Sequence, residues 1–88
     1  MMDGHLVVQS HRDFGAQLRA ARRERQLTQA QAAVLAGVGV RLWNEAENGR
    51  RAQVGLETAL RMMQAVGVEL RLATRLVENG GNGENGAR

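Results

Sequence analysis

The sequence predicts a mostly α-helical fold: a compact bundle of short helices followed by one β-strand near the C-terminus. Three observations predict it. Apolar residues recur at spacings of three and four in separate stretches between His11 and Val66, each opened by a capping residue or closed by a glycine. Two of these stretches are only about two turns long, and Gly37-Val38-Gly39 alone joins them, so the two helices must cross steeply. From Val68 to Leu72 the period changes to strict alternation, which suits a half-buried strand.

The chain order supports each element. Residues 1–9 contain the short apolar run Leu6-Val7-Val8, an arm or an edge strand. Ser10 and Asp13 resemble a capping box with aspartate in the glutamate's place. Phe14, Leu18 and Ala21 then carry a helix over about His11 to Arg25, in which Gly15 costs stability and marks a close approach by another element. Thr28 is the next N-cap, opening a helix over about Gln29 to Ala36 that Gly37 ends. Val38 is the apolar residue of the turn, and Gly39 caps a third helix, about Val40 to Asn48, which stops at Gly49. A fourth helix spans about Leu56 to Val66, with Leu56, Ala59, Leu60, Met63 and Val66 as its expected core stripe, and Gly67 closes it. Residues 68–77 form the strand region, with Val68, Leu70 and Leu72 on its apolar face. That strand pairs either with the N-terminal segment or with its twin in a dimer, and the clean alternation favours the twin. The Asn/Gly-rich stretch 78–88 reads as a flexible tail.

Composition limits what the chain can do. Eighty-eight residues supply one modest core, and the absence of cysteine removes disulfides and thiolate metal sites. With two histidines, His5 and His11, no tyrosine and no pairing of carboxylates in an apolar pocket, nothing is placed to carry a reaction, bind a metal or hold a cofactor. Met1 to Ser10 lacks the basic start and long apolar centre of a secretion signal, and no apolar run reaches the length of a membrane span. A cytoplasmic protein with no membrane partner is the expectation. Net charge is +3 and all twelve basic residues are arginine. A GC-rich gene accounts for that usage as well, but arginine is also the better fork for phosphates and guanine edges. Arg19, Arg22, Arg23 and Arg25 cluster ahead of the two short helices, Arg41 lies within them, and Arg50 and Arg51 follow.

Spacing separates the two sides of the third helix. Trp43 and Ala46 share a face with Val38 and look inward, so the indole is read as core rather than as a base-stacking ring. Val40, Arg41, Asn44 and Glu45 lie on the other side. Arg41 can fork to guanine, Asn44 can pair with adenine, Glu45 can accept from cytosine or repel phosphate, and Val40 can meet a thymine methyl. As ordinary solvent-facing residues they would carry no such meaning; the surrounding layout, one helix presented for a major groove, gives it to them. Gln29, in the first turn of the second helix, suits a phosphate oxygen, with Thr28 beside it. Asn48, Arg50 and Arg51 suit the backbone on the other side, although an arginine pair also serves as a solubilising loop.

Leu27-Thr28-Gln29-Ala30-Gln31, Ala33, the Gly37-Val38 turn and Glu47-Asn48-Gly49-Arg50 resemble the helix-turn-helix signature of the phage-repressor (Cro/XRE) family, over about Phe14 to Val66. The resemblance implies a lambda-repressor-like helix-turn-helix domain, here residues 10–67, acting as a homodimer on a palindromic operator in double-stranded DNA. It implies phosphate contacts at Gln29 and Asn48, base readers at Val40, Arg41, Asn44 and Glu45, and a structural ion pair between Arg22 and Glu47. The chain departs from the family pattern at Ala32 and Ala46, where a larger aliphatic is usual, and at Trp43, where a smaller one is. The indole is expected to fill the space left by the two alanines. Gly39 replaces the usual capping serine. The ending, Ala65-Val66-Gly67-Val68 followed by Glu69-Leu70-Arg71-Leu72, is similar to HipB-type antitoxins, which implies strand pairing across a dimer, autoregulation and a kinase-like toxin partner. The function expected is a sequence-specific transcriptional repressor, as the autoregulating antitoxin of a toxin–antitoxin operon. The alternatives are a prophage-type repressor without a toxin, or a protein-binding module that mainly neutralises one. An enzyme is not expected.

Overall fold

The computed structural model describes residues 8–51 and 53–74. Four helices follow in order: α1 (His11–Glu24), α2 (Gln29–Ala36), α3 (Val40–Glu47) and α4 (Leu56–Ala65). Helix α1 packs on α3, and α2 packs on both α3 and α4. Among the described residues no helix is long and apolar enough to cross a membrane.

The core is built around one large side chain and several small ones. Trp43 is fully buried, and Ala32, Ala33, Ala36 and Ala46 lie with it in one cluster that Leu18, Met62, Met63 and Val66 complete. The indole thus shares the buried core with Ala32 and Ala46, the two alanines it was expected to compensate. Gly15 lies at the close approach between α1 and α3. A Cβ there would run into the carbonyl oxygen of Ala46 and sit 2.9 Å from that of Glu47, both backbone atoms that cannot step aside.

The stripe expected on α4 holds at Met63 and Val66 and shifts at its start. Leu56 is 67% exposed, whereas Met62, absent from the expected set, is fully buried. Ala59, Met62, Met63 and Val66 satisfy the same three-and-four spacing as the expected residues. Both phases are apolar here, and contact with α2 selects the one that faces it, leaving Leu56 beyond the crossing.

All four helices end alike. After each, a residue two or three past the end donates its N–H back to a carbonyl five residues earlier: Leu27 to Arg22, Val38 to Ala33, Arg50 to Glu45 and Val68 to Met63. The left-handed residue this requires is Gly37, Gly49 and Gly67 in three cases, and Gln26, at φ 59°, in the first. Two arginines reinforce these ends from a neighbouring helix, Arg25 Nε donating to the Val66 carbonyl at 2.7 Å and Arg61 Nε to that of Ala36 at 3.1 Å.

The expected strand at Val68 to Leu72 has no partner among the described residues. Among the described residues none is in a strand, and 68–74 run without a hydrogen-bonded partner strand. Val68 packs on the core cluster, but Leu70 is 50% and Leu72 89% exposed. Alternation prepares a segment for pairing and supplies no partner. Leu6 and Val7 of the expected N-terminal strand, and the expected tail at 78–88, lie outside the described residues, as do positions 75–77 of the strand region.

Candidate nucleic-acid interface

Local sequence positions each exposed group. At the start of α2, Thr28 Oγ1 accepts from the Gln31 N–H at 3.0 Å while Gln31 Oε1 accepts from the Thr28 N–H at 2.9 Å. This reciprocal box makes Gln31 as much a capping residue as the threonine, and it leaves the N–H groups of Gln29 and Ala30 facing out at the positive end of the helix. At the start of α3, Gly39 gives no side-chain cap, so the first N–H groups there are also open. Val40, its first residue, is half exposed.

Beneath this surface lies Glu47, whose side chain is fully buried. Arg22 forks onto it, Nε to Oε2 at 2.5 Å and Nη2 to Oε1 at 3.0 Å, and sends Nη1 to the Leu27 carbonyl at 2.8 Å. The ion pair implied by the family pattern is therefore present. Two further donors were not foreseen: the Trp43 indole N–H reaches Oε2 at 2.6 Å, and Gln29 Nε2 reaches Oε1 at 2.9 Å. Burial pushes this carboxyl up, but the bonds from Arg22, Gln29 and Trp43 and the Arg22 charge outweigh it and hold it below the usual carboxylate range.

From Glu47 a chain of amides runs outward. Gln29 Oε1 accepts from Asn44 Nδ2 at 3.0 Å, and Asn48 Nδ2 donates to the Asn44 carbonyl at 3.0 Å and to its Oδ1 at 3.3 Å. Asn48 Oδ1 in turn accepts from Arg19 Nη2 at 3.3 Å. Residues 15 and 18 apart in sequence thus share one network, and Arg19, not among the expected site residues, is its outer member. Both polar ends of the Asn44 amide are engaged inside the protein, so it is placed to brace Gln29 against Asn48.

The exposed side of α3 has a second carboxylate. Glu45 Oε2 accepts from Arg41 Nε at 3.3 Å and its Oε1 from Arg51 Nη1 at 3.1 Å. The Arg51 bond lowers the Glu45 carboxyl, burial opposes it, and the Arg41 bond and the two arginine charges add to the lowering. Arg41 is 91% exposed and uses only Nε in this contact, which leaves its two terminal nitrogens as an open fork. Arg50 is exposed beside it, just past α3. Thr28, Gln29, Val40, Arg41, Asn44, Glu45, Asn48, Arg50 and Arg51 thus flank or belong to α3, with amides at its ends and a free guanidinium near its start.

Residues 13–76 match the family model of a helix-turn-helix domain. The restriction-modification controller protein C.AhdI from Aeromonas hydrophila is 30% identical, with a TM-score of 0.62 over 67% of this chain and 88% of that one. The HipB–O4 20mer complex matches at a TM-score of 0.69 and 17% identity, over 80% of this chain and 97% of that one. The HipA–HipB–O2-O3 complex gives the same values, and at 17% identity both are likenesses of fold. No curated protein matches. The chain belongs to the helix-turn-helix regulators of the Cro/XRE type.

Proposed function

We propose that this protein is a sequence-specific, double-stranded DNA-binding transcriptional repressor that works as a homodimer on a palindromic operator. The observation that carries this reading is the open Arg41 fork near the start of α3, set between Gln29 and Asn48, which one hydrogen-bond chain holds at a fixed separation. In the major groove Arg41 bonds guanine O6 and N7, and Val40 touches a neighbouring base. Gln29 with the open N–H groups of α2, and Asn48 with Arg50, seat the phosphates on either side. Two-fold symmetry presents two such helices, with Val68, Leu70 and Leu72 as the segment available to a second copy. No group in this surface is arranged for a reaction, and regulation by binding in the cytoplasm is the role proposed.

Two partner assignments follow from the neighbours. Fold likeness to HipB supports an autoregulating antitoxin with a kinase-like toxin, and 30% identity to C.AhdI supports the control of a restriction–modification operon. The gene beside this one separates them. The DNA-binding reading is tested by sequencing fragments that the purified protein selects from a random pool containing its own upstream region. The expected result is a two-fold-symmetric motif with half-sites about 34 Å apart, one helical turn. Enrichment of no motif would overturn the reading and leave a protein-binding module.

A further inference from the structure

Helix α1 carries a row of arginines, of which Arg19 joins the network above and Arg12 and Arg23 do not. Arg12, Arg19 and Arg23 stand at spacings of seven and four, so they fall on one side of the helix, with Ala16 and Ala20 between them. Together with Glu47 and Asn48 these residues line an open groove beside the end of α3. The alanines leave its floor shallow enough for an extended chain to lie against the helix. The groove's one carboxylate, Glu47, is forked by Arg22 and also contacted by Arg19, so the guanidinium charges of Arg12 and Arg23 face the groove without compensation from within it. Arg12 and Arg23 engage no carboxylate among the described residues. Arg19 bonds Asn48 Oδ1 through Nη2 and lies 3.6 Å from Glu47 Oε1 through Nε. Arg19 is therefore tied to the interface, and Arg12 and Arg23 carry the uncompensated charge on either side of it.

The geometry points to a second phosphate-binding track: Arg12, Arg19 and Arg23 hold the sugar–phosphate backbone of the duplex beyond the bases that α3 meets. This rests on the DNA-binding function proposed above and extends its footprint. The occupant is the same duplex, because the row is continuous with the interface at Asn48. A Cβ on Gly49, the next residue, would sit 3.2 Å from the Arg12 Cα, so the start of α1 and the end of α3 form one edge. From Arg12 to Arg23 the helix rises about 16 Å, enough to follow several consecutive phosphates of one strand. Such contacts carry no base information, so the track sets affinity and register and not sequence choice.

The test is the double variant Arg12→Gln, Arg23→Gln, which keeps much of each aliphatic stem and leaves Arg19 and the Glu47 network intact. Affinity for the selected duplex and for random duplex is measured across salt concentrations. The expected result is a plot of log affinity against log salt about two units shallower on both duplexes, at roughly 0.9 per phosphate contact, with an unchanged base preference. An unchanged slope overturns the track. A changed base preference overturns it too, because the arginines would then be reading bases. If the unaltered protein selects no motif, the DNA-binding function has failed and the track fails with it. An unaltered protein that selects a motif while the double variant keeps the full slope refutes the track alone.

Discussion

Glu45 and Glu47 stand two residues apart on α3, and the fold uses them in opposite ways. Both carboxyls are held below their ordinary range, but for Glu47 the donors must first overcome burial, whereas for Glu45 the arginine bonds dominate from the start. Glu47 takes two bonds from Arg22 and one each from Gln29 and Trp43, joining α1, α2 and α3 at a single point. Glu45 touches only Arg41 and Arg51, both reachable from solvent. The buried acid fixes the angle at which α3 is presented. The exposed one sets how its arginines wait for a ligand.

The largest effect expected from this contrast comes from Glu47→Gln. It keeps the shape but leaves Arg22 buried without its counter-charge, a change that costs about 3–5 kcal/mol in comparable buried pairs. A thermal or urea melt checks it, and a loss no larger than that of a surface substitution would remove Glu47 from its central place. The pH dependence has a definite sign. A carboxyl lowered in the folded state contributes stability that is complete above its unfolded value, near 4.3, and is lost as pH falls through the folded value. Melts between pH 7 and pH 2 should therefore show an acid limb that Glu47→Gln reduces.

The smallest stability effect belongs to Glu45→Gln, whose melting temperature should match the parent's, because exposed ion pairs contribute little. Its consequence is expected in binding. With Arg41 and Arg51 released from a neighbouring negative charge, affinity for random duplex should rise and depend more steeply on salt, as a titration at several salt concentrations would show. A fall in affinity for every duplex would instead mean that Glu45 orients Arg41 for binding.

Local signals in the sequence were enough for the helices and for the inward turn of Trp43, because caps, glycine stops and three-and-four spacing act within a few residues. The two alanines opposite the indole showed where its volume had to go. The phase of α4 was legible only in part. Met63 and Val66 of the expected stripe are buried and Leu60 packs on the core, but Leu56 is exposed and Met62 takes a core place, a choice made by the contact with α2. The bonds of Gln29 and Asn44 were hidden for another reason. Each amide satisfies its partner across 15 or more residues, so their engagement depends on how α2 crosses α3. Read alone, Asn44 is a candidate base reader; in the free protein its amide also braces Gln29 against Asn48. The alternation at 68–72 signals a strand whose partner does not lie among the described residues.

The central claim is that α3 reads bases through Arg41 while its flanks hold phosphates. Comparing Arg41→Ala with Arg50→Ala on the selected duplex and on random duplex tests it most directly. The account predicts that Arg41→Ala weakens the selected site by about tenfold or more and relaxes preference at one position of each half-site. Arg50→Ala should weaken all duplexes alike and reduce the salt slope by about one. Equal losses from the two variants, with base preference intact in both, would contradict it.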